Sequence, residues 1–309
     1  MADFRNYSPE DVICANLRET AARLGMIGEQ ERAHLRELAV ELAKDSDGPR
    51  EFAASLPDLL PPTLFGKDGG EDPMLETVRR VVFCKEAAER LSTGGILRPE
   101  WFLPEPDGEP SQSDRIAYQR SSYADTAYLR LSPLLSDPRA TYAHSFPAAC
   151  EDVFNGLCEY CILPLENSSE GQLSSFARLI DRYGLRIAAT ADVTATDGSR
   201  TTCFALLRRG VQPLLSADER ACCLEISIRL DLPDALVGVL HAARLCGLSL
   251  LRVNTRVDPD GTDLLAHPIF SASNDRLALF LLYLATGPCR YEVIGLYPHL
   301  SDRAETNQI

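Results

Sequence analysis

Hydrophobic residues in the first third of the chain have the spacing that is typical of helices. Leu17, Ala21 and Leu24 recur at intervals of three or four residues, which places their side chains on one face of a helix. The same spacing continues through the rest of this region, and a further helix is predicted over Pro73–Leu91. Residues 1–102 are therefore predicted to form a helical domain.

The middle of the chain alternates between strand-like and helix-like segments. A proline-rich and acidic segment, Leu103–Asp114, has the composition of a linker and precedes this region. The alternation over residues 115–210 predicts an α/β lobe with largely parallel strand pairing. The predicted strands are Arg115–Tyr118, Ala140–His144, Tyr160–Leu165, Leu185–Ala191 and Thr202–Arg208, and the predicted helices are Phe146–Leu157 and Gly171–Tyr183.

The last third of the chain predicts a compact βαββαβ module over residues 219–301. Pro233 is placed to begin its first helix and Gly247 to end it. The predicted strands are Cys222–Leu230, Leu250–Val257, Leu264–Ser271 and Tyr291–Leu296, and the second predicted helix is Arg276–Ala285. The predicted fold class is thus α/β and α+β, with a helical domain, one α/β lobe and a ferredoxin-like module of the kind that senses a small molecule.

The charge of the chain narrows the class of partner. Acidic residues outnumber basic residues 45 to 31, which gives a formal net charge of −14. Because such a field repels phosphate backbones and anionic lipid surfaces, neither nucleic acid nor a membrane is expected as a partner. The longest apolar run, Leu277–Thr286, is too short to cross a bilayer, and the first residues lack the pattern of a signal peptide. A cytoplasmic location is therefore expected.

Ten cysteines raise the question of a metal site or a redox site. Cys158 and Cys161 form the one CxxC pair, and no second pair completes a set of four ligands. The histidines, among them His267 and His299, are scattered without the spacing of metal ligands. Structural thiols are the favoured interpretation, and neither a metal nor a cofactor is predicted.

A family resemblance enters at the end of the third predicted strand. The segment Leu163–Gly171 reads LPLENSSEG and resembles the strand-to-helix turn of prephenate dehydratases, and Arg200–Leu207 resembles the TRF strand of that family. These enzymes convert prephenate to phenylpyruvate, water and carbon dioxide. The resemblance implies a catalytic set in which a threonine assists the departing hydroxyl and polar side chains hold the substrate. In this chain the implied set is Thr202, Asn167, Ser168 and Glu166.

The βαββαβ module resembles the ACT domain that follows the catalytic part in the same family. Asp234–Val237 matches the family's GALV motif except at its first position, and Asn254–Val257 keeps only the arginine of its ESRP motif. The resemblance implies phenylalanine or a related amino acid as effector, and a homodimer formed through this module. The implied effector-binding residues are Asp234, Ala235, Leu236, Val237, Asn254, Thr255 and Arg256.

The helical region bears a resemblance of its own. Leu17–Glu19 followed by Arg36–Lys44 is similar to the first helix of chorismate mutases, which are often fused to prephenate dehydratases. Gly25 and Gly28 interrupt this stretch at a cost of about 1 kcal/mol each relative to alanine. The position of a second catalytic arginine in that family is occupied here by Leu35.

Three departures from the dehydratase pattern concern the substrate pocket. Cys203 stands where an arginine normally follows the threonine, and Arg120–Tyr123 replaces a glycine-rich loop after the first strand. Only a short stretch separates Gly184 from Thr202, where the family inserts an entire second lobe. Without that lobe, one wall of the pocket is expected to be absent, and such a site does not exclude water from the substrate.

Three functions therefore stay open at the level of sequence. The first is a prephenate dehydratase of phenylalanine biosynthesis under allosteric regulation through the ACT domain. The second is a catalytically inactive pseudoenzyme that binds an amino acid and regulates a partner, and the third is a scaffold. Structural roles compete at single residues, because Asn167 and Ser168 are also good helix-capping residues and Thr202 is also a good strand residue. Arg256 is equally compatible with a solvated strand position.

Overall fold

A computed structural model describes most of the chain. The described residues are 28–44, 46–60, 64–65, 73–92, 97–104, 114–214, 222–231, 235–257, 261–287 and 289–301. The chain divides into two compact units, which we call the helical unit and the sheet unit. The helical unit comprises Met1–Phe102, Leu230–Leu250 and Asn274–Arg290, and the sheet unit comprises Leu103–Arg229, Leu251–Ser273 and Tyr291–Ile309. The mutase-like Leu17–Glu19, residues 105–113 of the linker, and Asp234 lie outside the described residues.

The helical unit joins helices from both ends of the chain. Its helices are α1 (Glu29–Lys44), α2 (Pro49–Leu59), α3 (Pro73–Leu91), α7 (Ala235–Leu245) and α8 (Asn274–Ala285). Helix α3 has the predicted bounds and packs against α1, α7 and α8. Its buried residues include Val78, and the consecutive residues Val81–Cys84 are all buried, so this part of α3 is surrounded by other side chains. None of the helices in the described residues combines the length and the apolar character needed to cross a bilayer.

A buried arginine connects two helices of this unit. Arg80 on α3 is 4% exposed and donates to the backbone carbonyl of Thr286, at 2.6 Å, just beyond the end of α8. Its guanidinium also forms an ion pair with Glu76, at 2.8 Å, and lies 4.5 Å from the centre of the Phe65 ring. A cation at the carboxyl end of a helix is favourable because the last carbonyls carry partial negative charge.

The sheet unit is built on one mixed sheet. The strands run in the order β2-β1-β3-β6-β5-β10-β7-β9-β8, with β4 beside β3 and β11 beside β5. The strands are β1 (Arg115–Gln119), β2 (Arg139–Ala143), β3 (Tyr160–Asn167), β4 (Gly171–Gln172), β5 (Leu185–Thr194), β6 (Thr201–Arg209), β7 (Cys222–Arg229), β8 (Ser249–Val257), β9 (Leu264–Ala272), β10 (Tyr291–Tyr297) and β11 (His299–Leu300). Three helices accompany them: α4 (Ser122–Leu131), α5 (Phe146–Phe154) and α6 (Ser174–Arg182).

The strand pairing of the α/β lobe is mixed, whereas largely parallel pairing was the expectation. Strands β2 and β3 run parallel to β1, but β6 runs antiparallel to both β3 and β5. The reason is the short connection of residues 195–200, where the Ala195 amide donates to the Arg200 carbonyl at 2.7 Å. A connection of that length closes a hairpin, since a parallel crossover requires about a dozen residues or more. The hairpin stands where the dehydratase pattern has a second lobe.

Two local differences concern elements near the predicted site. Helix α4 begins at Ser122, within the stretch Arg120–Tyr123 that was expected to be a loop, because the Ser121 hydroxyl accepts from the Ala124 amide and caps the helix. The helix that was predicted over Gly171–Tyr183 begins only at Ser174, and Gly171 instead belongs to β4. Turn and strand hydrogen bonds use the residues that the sequence pattern assigned to the first helical turn.

The predicted βαββαβ order is present from β7 to β10. Its strands are adjacent in the order β10-β7-β9-β8, while its helices α7 and α8 belong to the helical unit. Strand β10 also pairs with β5, and Gly295 lies opposite Ile187. A Cβ atom at Gly295 would come within 2.6 Å of the Ile187 carbonyl oxygen, so this close approach requires glycine. The division into three domains and the ACT identity of this module stay predictions.

Candidate functional site

A cavity of about 370 Å³ opens in the sheet unit. Its lining comes from the ends of β3 and β5, the start of β6, and strands β7 to β11. Apolar lining residues include Leu165, Leu251 and Ile269. A volume of this size, with apolar walls and a few polar groups, is typical of small-molecule sites.

The charged residues that line this cavity are mostly acidic. Three are acidic, namely Glu166, Asp192 and Glu225, and among the described lining residues Arg252 is the arginine that faces them. Arg252 forms an ion pair with Glu166. The cavity is therefore better suited to positive groups than to a ligand with several negative charges.

Three of the four implied catalytic residues lie at the cavity, and each is held by local contacts. The Asn167 side-chain oxygen accepts from the backbone amides of Ser169 and Glu170, at 3.0 and 2.7 Å. The Ser168 hydroxyl accepts from the Thr201 amide at 3.1 Å. Asn167 therefore stabilises the turn between β3 and β4, and it does not cap a helix.

The fourth implied residue, Thr202, faces away from the cavity. Its neighbours Thr201 and Cys203 line the cavity, and side chains on a strand alternate between the two faces. Thr202 shares its face with Phe204 and Leu206, which belong to a buried cluster on the opposite side of the sheet. The structure thus brings Glu166, Asn167 and Ser168 to the cavity, whereas Thr202 lies directly across from Asn167 in the β3–β6 pairing without lining the cavity.

Cys203 lies in the cavity beside Asp192. The two residues are paired across β6 and β5. Burial, followed by the neighbouring Asp192 carboxylate, raises the pKa of the Cys203 thiol to about 12. The position that carries an arginine in the dehydratase pattern therefore holds a neutral thiol here.

A further ionisable group of the cavity is Glu225 on β7. Burial raises the pKa of its carboxyl group to about 7, although the Tyr297 hydroxyl donates to it at 3.1 Å and opposes that shift. A carboxyl group with this pKa exchanges its proton near neutral pH. The ionised carboxylate of Glu225 can therefore accept a hydrogen bond from a ligand ammonium, or it can take up a proton from a ligand.

His299 lines the cavity beside Asp192. The His299 ring nitrogen Nε2 lies 3.4 Å from an Asp192 carboxylate oxygen. Its other ring nitrogen, Nδ1, is hydrogen-bonded to the Thr190 hydroxyl at 2.9 Å. The side-chain ligand atoms of Asp192, Cys203 and His299 all lie within 4.8 Å of one another.

The implied effector residues fall into the two different units. Ala235, Leu236 and Val237 begin helix α7, where Val237 is 57% exposed, and Asp234 lies outside the described residues. Asn254, Thr255 and Arg256 lie on β8.

Arg256 is already engaged by neighbouring side chains. It donates to Asp181 at 2.7 Å and to the His267 ring nitrogen Nε2 at 2.8 Å. Burial raises the pKa of Asp181, and Arg256 opposes that shift. Burial, and secondarily the charge of Arg256, lower the pKa of His267 to about 4, so His267 is neutral and accepts from Arg256. The guanidinium of Arg256 is therefore held by two neighbouring side chains, Asp181 and His267.

Two donors on the same face of β8 have no hydrogen-bond partner among the described residues. They are the buried Nε atom of Arg252 and the buried Nδ2 atom of Asn254. Residues two apart on a strand point to the same side, so both donors are presented together. Buried donors without partners are rare in native structures, and a ligand carboxylate would satisfy them.

Sequence reasoning found the turn at Glu166–Ser168 but missed four cavity residues: Asp192, Glu225, Arg252 and His299. The alternation of charged and apolar residues along β7 and β8 was the one signal available for Glu225 and Arg252. Asp192 and His299 carry no such signal, because their proximity depends on which strands pair.

Several solved structures are similar to this chain in fold. A prephenate dehydratase from Streptococcus mutans is similar over 61% of this chain and 100% of its own, with 20% identity and a TM-score of 0.48. The prephenate dehydratase of Arthrobacter aurescens, in complex with L-Phe, covers 60% of this chain and 90% of its own, with 16% identity and a TM-score of 0.46. A quorum quenching acylase, GqqA, covers 60% of this chain and 95% of its own, with 20% identity and a TM-score of 0.44.

No protein-family model matches the chain, and no curated protein matches it. The likeness to solved structures is one of fold, and it does not identify an activity or a ligand for this chain.

Proposed function

We propose that this chain is a prephenate dehydratase-like protein that does not dehydrate prephenate and instead binds an amino acid in the cavity of the sheet unit. The observation that carries this proposal is the charge of the cavity lining, where Glu166, Asp192 and Glu225 face Arg252. It favours the pseudoenzyme alternative over the dehydratase alternative.

Prephenate carries two carboxylates, and its binding requires at least two fixed cations or equivalent donors. Among the described lining residues, the cavity offers Arg252, which is already paired with Glu166, and it holds Cys203 in place of a second arginine. Thr202, the implied proton donor, faces the other side of the sheet. Among its described lining residues, the cavity therefore offers neither a second arginine nor the threonine that the dehydratase pattern implies.

An α-amino acid has one carboxylate and one ammonium, which is the charge pattern that the cavity complements. The unpartnered Nε donor of Arg252, which lines the cavity, is placed to receive the carboxylate. Glu225 is the acceptor for the ammonium, and Leu165, Leu251 and Ile269 provide the apolar wall for a side chain. Phenylalanine is the first ligand to test, because the sequence resemblance implies it. A homodimer through β7–β10 and its two helices is a further part of the proposal.

The first experiment separates enzyme from binding protein. Purified protein is incubated with prephenate, and phenylpyruvate is followed by its absorbance in alkali. We expect no product above the spontaneous rate. Product that rises in proportion to protein concentration would overturn the proposal.

The second experiment tests the ligand and its site. Isothermal titration with phenylalanine is expected to show binding that Arg252→Gln weakens by about tenfold or more, since a buried charged hydrogen bond is lost. Arg139→Gln is the matched control, because Arg139 is exposed and pairs with the exposed Asp137. If none of the twenty amino acids binds, or if both variants bind alike, the amino-acid site does not exist as described.

A further inference from the structure

Asp192, Cys203 and His299 are fixed to neighbouring positions by strand pairing. Asp192 is paired with Cys203 across β5 and β6, and His299 is paired with Thr190 across β11 and β5. Their positions are therefore set by backbone hydrogen bonds of the sheet and do not depend on a flexible loop.

The three side chains offer one oxygen, one sulfur and one nitrogen, all within 4.8 Å of one another. Ligand atoms around one tetrahedral zinc ion lie roughly 3.3–3.8 Å apart, given metal–ligand distances of about 2.0–2.3 Å. Side-chain rotations that move the outermost atoms by about 1 Å close this difference.

The imidazole of His299 is oriented as in metal sites. Its Nδ1 atom is hydrogen-bonded to the hydroxyl of Thr190, which is 3% exposed, and this contact turns Nε2 toward Asp192. Metal-binding histidines almost always engage their second ring nitrogen in such a contact, which fixes the ring and its tautomer.

We propose that Asp192, Cys203 and His299 form a zinc site at the wall of the cavity. A donor set of thiolate, imidazole and carboxylate suits Zn²⁺ and is unsuited to Mg²⁺ or Ca²⁺, which prefer oxygen ligands. All three residues line the cavity, so the fourth coordination position is open to water or to a ligand. Three protein ligands and one open position are the arrangement of zinc sites that act on a bound molecule. This site does not depend on the amino-acid proposal.

A divalent cation would also be favoured by the acidic groups of the cavity. Glu225 and Asp192 line it together, and Arg252 is committed to an ion pair with Glu166. A bound Zn²⁺ would offset the charges of the Asp192 carboxylate and of the Cys203 thiolate, and it would leave Glu225 to face a ligand.

Cobalt substitution tests the proposal in the full-length protein. Chelator-treated protein is titrated with Co²⁺ and followed by absorbance, because thiolate ligation gives a near-ultraviolet charge-transfer band and tetrahedral geometry gives strong visible bands. We expect one Co²⁺ per chain with both signals, and displacement of Co²⁺ by Zn²⁺. Absence of the thiolate band would overturn the proposal.

Variants assign the ligands. Cys203→Ser is expected to abolish the thiolate band, whereas the control Cys223→Ser, which changes another thiol that lines the cavity, is expected to retain it. His299→Gln changes a side chain that is 37% exposed, and it carries the test if Cys203→Ser does not fold. Thr190→Val is expected to weaken metal binding by roughly 10-fold or more through loss of the orienting hydrogen bond. Metal binding that survives both Cys203→Ser and His299→Gln would show that these three residues form a hydrogen-bonded group only.

Discussion

Arg80 in the helical unit and Arg252 in the sheet unit are both arginines with buried donors, but their surroundings differ. Arg80 bonds Glu76 and the carbonyl of Thr286, and its flat face lies over Phe65. Arg252 pairs with Glu166, yet its Nε atom is buried without a partner among the described residues. A buried donor set that is fully used indicates a structural role, whereas an unused buried donor beside a cavity indicates a place for a ligand.

The largest expected effect follows from removing the structural arginine. Arg80→Met leaves the Thr286 carbonyl and the Glu76 carboxylate without their donor, so we expect the helical unit to lose about 4 kcal/mol of unfolding free energy. Arg252→Met is expected to cost less than about 1 kcal/mol, because its partner Glu166 keeps access to solvent. Urea unfolding measures both changes.

The single tryptophan of the chain makes this measurement specific. Trp101 belongs to the helical unit, so its fluorescence reports the unfolding of that unit, while circular dichroism reports both units. Equal losses for the two variants would show that Arg252 has the same structural role as Arg80, and the contrast between the units would fail.

A second prediction concerns pH and the sheet unit. His267 is 2% exposed, and its pKa of about 4 lies below the ordinary value of 6.5. The unfolded chain therefore binds a proton near pH 6.5 that the folded chain excludes until about pH 4, so stability is complete above pH 6.5 and falls as the pH is lowered toward 4. The loss attributable to His267 is about 3 kcal/mol at most.

His267→Gln keeps an acceptor for Arg256 and removes the titration. We expect the urea midpoint of this variant, followed by circular dichroism, to fall less than that of the unchanged protein between pH 7 and pH 4.5. Asp181 faces the same guanidinium, and its raised pKa acts in the opposite direction, but it is present in both proteins and does not affect their difference. Identical pH profiles would show that His267 is not the group responsible.

The sequence predicted the elements of both units well where the signal is local. The pattern along Pro73–Leu91 and the alternation in Cys222–Leu230 reproduce α3 and β7 closely, because each pattern lies in one contiguous segment of the sequence. The start of α4 depends on one capping hydrogen bond, and the antiparallel direction of β6 depends on a short hairpin connection. Neither produces a periodic sequence pattern, so the sequence did not predict them.

The candidate site was less accessible to sequence reasoning. The turn at Glu166–Ser168 was found because one contiguous motif carries it. Asp192 and Cys203 lie on the two strands of one hairpin, His299 is far from both in the sequence, and only the pairing of β5 with β6 and β11 brings the three together. Ligand spacing along a sequence detects sites that are built on one turn or helix, and it does not detect a site that is built across strands.

The smallest expected effect concerns Thr202, for which the family motif implies a contact with the ligand and the observed geometry does not. The family resemblance gives Thr202 the role of assisting the departing hydroxyl, yet its side chain packs on the face of the sheet opposite the cavity. Thr202→Val preserves its volume and β-branched shape, so we expect phenylalanine and Co²⁺ affinities to change by less than about twofold, with at most about 1 kcal/mol lost in stability. Isothermal titration beside Arg252→Gln makes the comparison direct. A tenfold or larger loss of affinity in a stably folded Thr202→Val would place the ligand on the other face, because a side chain separated from the cavity by the sheet cannot contact its occupant.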